Sequence, residues 1–302
     1  MKHKAKAVDV MCVGHASYDL IFTVPHHPGA DEKMVADSLI SCGGGPAANA
    51  AVQVAKLGLT AAFAGYLGND LYGEQHYQEL INYGVNVDLV VRGESPTPLS
   101  TVLVKHGGKR ALINFKGETK ALPANAIDFA GINPKVILFD GHEPHISVPL
   151  AKTAKAQGIP TVLDAGSVHE GTLVLMALVE HLACSEKFAV QLHGDIDTAI
   201  NNLSEVAPNV VITVGEKGLL WRRREDYGAL PAFSVNAVDT TGAGDAFHGA
   251  YAAALAQKME WLGLLRYASA AGSLCCAKAG ARLGLASYEA VLALLVKGKL
   301  ME

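Results

Sequence analysis

At 302 residues, half of them hydrophobic and 18% charged, the chain has the material for a large buried core, which argues against a disordered or linker-like protein. A net charge of −4, with no unbroken basic run longer than Arg222-Arg223-Arg224, argues against a nucleic-acid or anionic-membrane partner. The length exceeds the roughly 150 residues of a typical domain, but one large α/β unit reaches it.

The opening "MKHKAKAVDVMCVG" is basic, yet its apolar run is short and no small-residue cleavage site follows, so it reads as a lead into a strand at 8–13. Residues 15–42 carry strand-like pieces. The glycine cluster in "SCGGGPAANAAVQVAKLG" (41–58) opens a helix at 46–57, with Pro46 in its first turn and Gly58 closing it. No continuous strand is expected to lead into that cluster, so it is not a dinucleotide fingerprint. A strand at 61–65 and a helix at 73–82 follow. Residues 97–116 read as a hairpin around a Gly-Gly turn. Further on come a strand at 136–140, a helix at 146–157, a strand at 159–164, a helix at 172–180 and a strand at 181–185. A strand at 209–214 has its hairpin partner at 219–223, and helices at 244–257, 262–279 and 288–296 complete the chain. Such alternation predicts an α/β fold with a mostly parallel sheet covered on both faces. Segments 15–42 and 97–116 break the alternation and predict a small separate sheet, a lid, on a single-domain body.

The five cysteines show no C-x-x-C spacing, which argues against a metal site; they read as small core residues in a reducing cytoplasm. No run reaches the roughly 18 apolar residues of a membrane span.

The segment "DTTGAGDAFHGAYAAAL" (239–255) changes from a glycine-rich loop into an alanine-rich helix, with one acid, Asp245, at the junction. Gly242 and Gly244 let the backbone turn tightly, and the first N–H groups of a helix have no internal partner. Such a site suits a phosphate. A carboxylate beside it suits proton abstraction from a nucleophile attacking that phosphate. The same Thr240, Thr241 and Asp245 could instead cap the helix. In the 41–58 segment, Asn49 points an amide toward the same region.

Together, "GGGPAANAAVQVAKLG" and "DTTGAGDAFHGAYAAAL" resemble the two signature segments of the ribokinase-like (PfkB-type) carbohydrate kinases, and the resemblance spans about Val10 to Leu285. It is nearest in appearance to the sulfofructose kinases and their ketose-kinase relatives. The resemblance implies a three-layer α/β/α sandwich with a small β-sheet lid, ATP as phosphoryl donor, Mg²⁺, and in many members a monovalent cation such as K⁺. Asp245 matches the family's base, and Gly242, Ala243 and Gly244 match its anion hole. Asp19, Gly43, Gly44 and Asn49 match its sugar contacts. In "TVGEKG", Thr213, Gly215 and Gly218 match the loop along the ATP phosphates. "AKAGAR", with Gly280, resembles the loop near adenine, and Asp239 is a candidate monovalent-cation ligand. The family's N-x-x-E is altered: Ser185 takes the Asn position, Phe188 takes the Glu position, and Glu186 is the candidate substitute for the metal.

Substrate choice is expected in the lid and strand-end loops, so Lys33, Asn114 and His142 are candidate sugar contacts. His248, one turn beyond Asp245, reads as a packed helix residue. A homodimer through the lid would protect its exposed strand edge. The leading expectation is a kinase acting on a ketose or pentose. Sulfofructose kinase, nucleoside kinase and a non-catalytic sugar sensor are the alternatives, and the intact "GAGD" argues against the sensor.

Overall fold

The first strand, β1 (Lys6–Val13), is apolar on both faces: Val10 and Cys12 enter one core, Met11 and Val13 the other. A strand of this kind must be covered on both sides. In the computed structural model, which describes residues 5–105 and 110–299, it lies near the middle of the main sheet. The strands that follow are β2 (Ser17–Val24), β3 (Ser38–Gly44), β4 (Ala61–Gly68), β5 (Asn86–Gly93), β6 (Leu99–Lys105), β7 (Arg110–Phe115), β8 (Ile132–Phe139), β9 (Thr161–Ala165), β10 (His181–Ser185), β11 (Asn209–Thr213), β12 (Leu219–Arg223) and β13 (Asp226–Leu230). The helices are α1 (Pro46–Lys56), α2 (Leu71–Asn82), α3 (Pro144–Gln157), α4 (Glu170–Leu175), α5 (Glu186–His193), α6 (Ile196–Val206), α7 (Ala243–Ala256), α8 (Trp261–Cys275), α9 (Ala281–Gly284) and α10 (Tyr288–Lys299).

The main sheet runs β13-β12-β11-β10-β9-β8-β1-β4-β5. It is parallel from β11 to β5, with β12 and β13 added antiparallel. One face packs on α1, α7 and α8, the other on α3, α4, α5 and α6, giving the three layers. Among the described residues no helix is long and apolar enough to cross a membrane.

A second sheet, β3-β2-β6-β7, stands apart. The Gly-Gly turn expected between β6 and β7 lies outside the described residues. Register places Cys42, Asp19, Ser100 and Asn114 in one row across this sheet, on a single face.

Several sequence expectations are corrected. β3 ends at Gly44 and, after Gly45, leads straight into α1, so a continuous strand does precede that glycine cluster. The expected helix at 172–180 stops at Leu175, because the chain must re-enter the sheet at His181. The expected helix at 262–279 ends at Cys275. β5, α5, α6 and β13 escaped the reading, although α6 places Ile196, Ala199, Ile200 and Leu203 on one face at helical spacing and packs them on the core.

Candidate active site

Helices α1 and α7 are rich in alanine because they approach closely. A Cβ on Gly249 would lie 2.7 Å from the Ala50 carbonyl oxygen, so no larger residue fits at this crossing. The approach brings two segments together: Asn49 Nδ2 donates to Asp245 Oδ2 at 2.7 Å. Burial, and next the neighbouring Asp164 carboxylate, push the Asp245 carboxyl up to about 6, against the opposing pull of the Asn49 amide and His248.

Asp245 sits in the first turn of α7. Gly242 precedes that turn in the left-handed region at φ 78°, and a Cβ there would fall 2.4 Å from Ala281 Cβ. No side chain caps this helix end. The capping alternative is therefore set aside: Thr241 turns its amide and hydroxyl to Asp239 Oδ1, at 2.9 and 2.7 Å. Asp239 Oδ2 accepts from the Gly280 amide at 2.8 Å, tying the two loops together.

Beside this helix end lies a cavity of about 660 Å³. Its walls include Thr213, Gly215, Gly218, Ala243 and Gly244, so two sequence-distant candidate loops share one space. The volume falls in the range that holds a nucleotide-sized ligand. Ser185 has a local role: its hydroxyl donates to the Gly166 carbonyl at 2.9 Å and accepts from the Phe188 amide at 3.1 Å, capping α5. Phe188 is fully buried in the core, while Glu186 is half-buried at the start of α5. Among the described residues, no group of three or more His, Cys, Asp or Glu side chains could hold a metal ion.

On the small sheet, Asp19 is buried, and Ser17 donates to its Oδ1 at 2.9 Å. Burial raises its carboxyl, opposed by the Ser17 hydroxyl and the Arg282 charge. Gly44 lies against this carboxylate, and the Gly43 amide donates to Glu79 Oε2 at 2.6 Å. Asn114 shares the row of Asp19 and accepts from the Ser100 hydroxyl at 3.0 Å. Lys33 is exposed in the loop between β2 and β3.

His142 stacks on His169, with ring centroids 4.6 Å apart, and lies 5.2 Å from His15. These three rings follow β8, β9 and β1, at the carboxyl ends of parallel strands, where such sheets carry ligands. Burial above all, with the neighbouring His142 and Lys116 acting in the same direction, holds His15 down to about 3 and His169 to about 4.

Other residues of the site escaped the sequence reading. His248 is packed as expected, but its Nδ1 lies 3.0 Å from Asp164 Oδ2. Burial opposes its protonation, yet the Asp164 carboxylate raises it above the ordinary histidine value. The signal for Asp164 was its place at the end of a buried parallel strand. Arg110 on β7 bonds to the Thr241 hydroxyl, just before the α7 turn. Arg282 is fully buried beside Asn49, and nothing in "AKAGAR" announced that.

A family model described as pfkB family carbohydrate kinase matches residues 7–287. Ribokinase of Bacillus subtilis is 29% identical, over 95% of this chain and 99% of that protein. Fructokinase-2 of Zea mays is 27% identical, over 84% of this chain and 85% of that protein. A solved structure of Arabidopsis thaliana ribokinase complexed with ribose and ATP superposes with a TM-score of 0.84 at 26% identity, covering 96% of this chain and 99% of that one.

Proposed function

The chain belongs to the pfkB family of carbohydrate kinases, with the ribokinase-like fold, and from that premise we propose that it transfers the γ-phosphate of ATP to a hydroxyl of a neutral pentose or ketose, with Asp245 as base. The observation that carries this reading is the Asp245 carboxylate, held by Asn49 in the first turn of an uncapped helix that borders the 660 Å³ cavity.

In the proposed step the sugar hydroxyl gives its proton to Asp245. Its oxygen forms a bond to the γ-phosphorus as the bond to the ADP oxygen breaks. The N–H groups at Gly242 and Gly244, joined by that of Ala243 once it leaves its 3.3 Å bond to the Thr240 carbonyl, face the charge that develops on the moving phosphoryl group, and such donors are a large share of phosphoryl-transfer catalysis. Thr213, Gly215, Gly218 and Gly280 follow the nucleotide. Asp19, Gly43, Gly44, Asn49 and Asn114 hold the sugar under a lid that carries Lys33.

Magnesium would neutralise the phosphate charge. With Phe188 in the core and no three-residue cluster of metal-binding side chains among the described residues, the protein would contribute few ligands to such an ion; Glu216 is the acid in the cavity wall, and Glu186, the candidate from the motif, is not in that lining. Asp239 ties its loop to Gly280 and is the candidate to respond to K⁺. The free state of all five cysteines supports a cytoplasmic setting.

His15 and His169, the two rings beside His142, stay neutral at pH 7, so they offer an anion no charge of their own, although Lys116 lies near both; this supports a neutral sugar. A panel of pentoses, ketoses and nucleosides with ATP, scored by ADP release, tests the reading. Turnover with a pentose or ketose is expected; turnover with nucleosides alone would overturn the substrate class.

A further inference from the structure

Arg282 has no exposed surface, yet it is a permanent cation with five N–H donors and no acceptor. Its Nε lies 3.1 Å from Asn49 Oδ1, its Nη2 3.1 Å from His76 Nε2, and its Nη1 3.6 Å from Glu79 Oε1. It thereby gathers α1 and α2 around one charge supplied by α9. The stability argument for such a residue is weak. Burying a guanidinium costs hydration, and apolar replacements of buried ion pairs are often neutral or stabilising. The arrangement is better explained by what it orients.

The chemistry of the donors sets that orientation. An Nε–H can only donate, so the Asn49 atom facing it must be the oxygen. The Asn49 NH₂ group then faces the other way, onto Asp245 Oδ2 at 2.7 Å. The same logic makes His76 Nε2 an acceptor, and burial together with the Arg282 charge keeps that ring neutral. Glu79, the counter-charge, also accepts from the Gly43 amide, so the guanidinium is linked to the glycine loop as well. A free asparagine amide can rotate by half a turn at little cost; one clamped at its oxygen cannot.

We propose that Arg282 is a positioning residue for phosphoryl transfer, acting through Asn49 to hold that amide in the one orientation that donates to Asp245. Without the clamp the amide is oriented by Asp245 alone and is free to tilt or turn away from it. The base is then misaimed and its ionised form is less favoured. This inference rests on Asp245 being the base.

The test is a cycle of Arg282→Lys, Asn49→Leu and the double variant, with kcat and kcat/KM measured against pH and folding checked by thermal unfolding. Lysine keeps the charge beside Asp19 but loses the planar fork. Asp245 is also faced by Asp164 from β9, His248 from its own helix and Asp19 from β2, and none of the substitutions touches these. Arg282→Lys is expected to lower kcat between about 10- and 100-fold, the scale of a modest misplacement. It should leave the KM for ATP within about twofold, because the nucleotide cavity is not lined by it. It should move the acid limb of the profile upward, and it should add little in the Asn49→Leu background. Effects that multiply in the double variant, or an unmoved acid limb, would overturn the proposal.

Should Arg282→Lys not fold, the intact protein carries the test through the ¹⁵N–¹H signals of the Asn49 side chain. Amide protons protected from solvent exchange, whose shifts titrate with the acid limb, are expected. Exchange as fast as that of an exposed asparagine side chain, or shifts that do not follow the acid limb, would overturn the clamp. Asp245→Asn separates the two levels: full activity there defeats the base assignment itself, whereas a dead Asp245→Asn beside multiplying effects defeats only the role of Arg282.

Discussion

Asn49 Nδ2 donates to Asp245 Oδ2 at 2.7 Å across a separation of 196 residues, so the two glycine-rich segments meet at one carboxylate. The pH dependence follows from this contact. In its proposed role as base Asp245 must be ionised, and burial with the Asp164 charge raises its carboxyl to about 6. The free-enzyme profile, kcat/KM, should therefore fall as pH drops through about 6. Asn49 donates to the charged form, so Asn49→Leu should move that limb to higher pH. A limb that stays fixed or moves to lower pH in Asn49→Leu would contradict the contact as described.

Gly242→Ala tests the turn that starts α7. The residue is in the left-handed region, and its new methyl group would fall 2.4 Å from Ala281 Cβ. Strain of this kind costs about 1–3 kcal/mol, and relieving it must move either the anion-facing turn or the Gly280 loop. Both the unfolding midpoint and ATP affinity should drop. A variant with wild-type ATP affinity would show that the turn is not used for phosphate.

The lid prediction has two parts. Hydrogen exchange in 15–42 and 97–116 should slow when sugar binds, and Arg110→Ala should weaken that protection by removing the bond to Thr241. The outer face, opposite the Asp19 row, leaves Leu39, Ile113 and Phe115 exposed. An apolar face of this kind supports a homodimer through the lid. Ile113→Glu should shift the protein to monomer in sedimentation; an unchanged assembly state would place the interface elsewhere, or nowhere.

Substrate charge is tested by kcat/KM for ribose, fructose and sulfofructose. The neutral His15 and His169 rings around His142 predict that the two neutral sugars are preferred. A tenfold preference for sulfofructose would show that these rings, or His142 itself, meet the anion after all.

The parts of this protein that local chemistry dictates were legible in the sequence. Pro46 and Gly58 punctuate α1, the buried strands are apolar on both faces, and "GAGD" announces a helix start with no side-chain cap. Elements decided by long-range packing were not. The helix begun near 172 is cut short only because the chain must turn back into the sheet, whereas α6, with Ile196, Ala199, Ile200 and Leu203 at helical spacing, was legible and passed over. Site residues divide in the same way. Asp245 and Asn49 stand in motifs, whereas Arg282 and His248 acquire their partners, Asn49 and Asp164, only through the folded crossing of segments 233 positions apart in the first case and across the sheet in the second. No local pattern encodes such a meeting.

The most direct measurement is the turnover and ATP affinity of Asp245→Asn, assayed with the best neutral sugar. The substitution keeps the side chain's size and removes its capacity to take a proton. If the nucleotide is held, as proposed, by backbone groups at the helix end and the 213–218 loop, it should still bind with near wild-type affinity. The account predicts a fall in kcat of about 10²–10⁴-fold. A variant that keeps most of its kcat would contradict the assignment of Asp245 as the base.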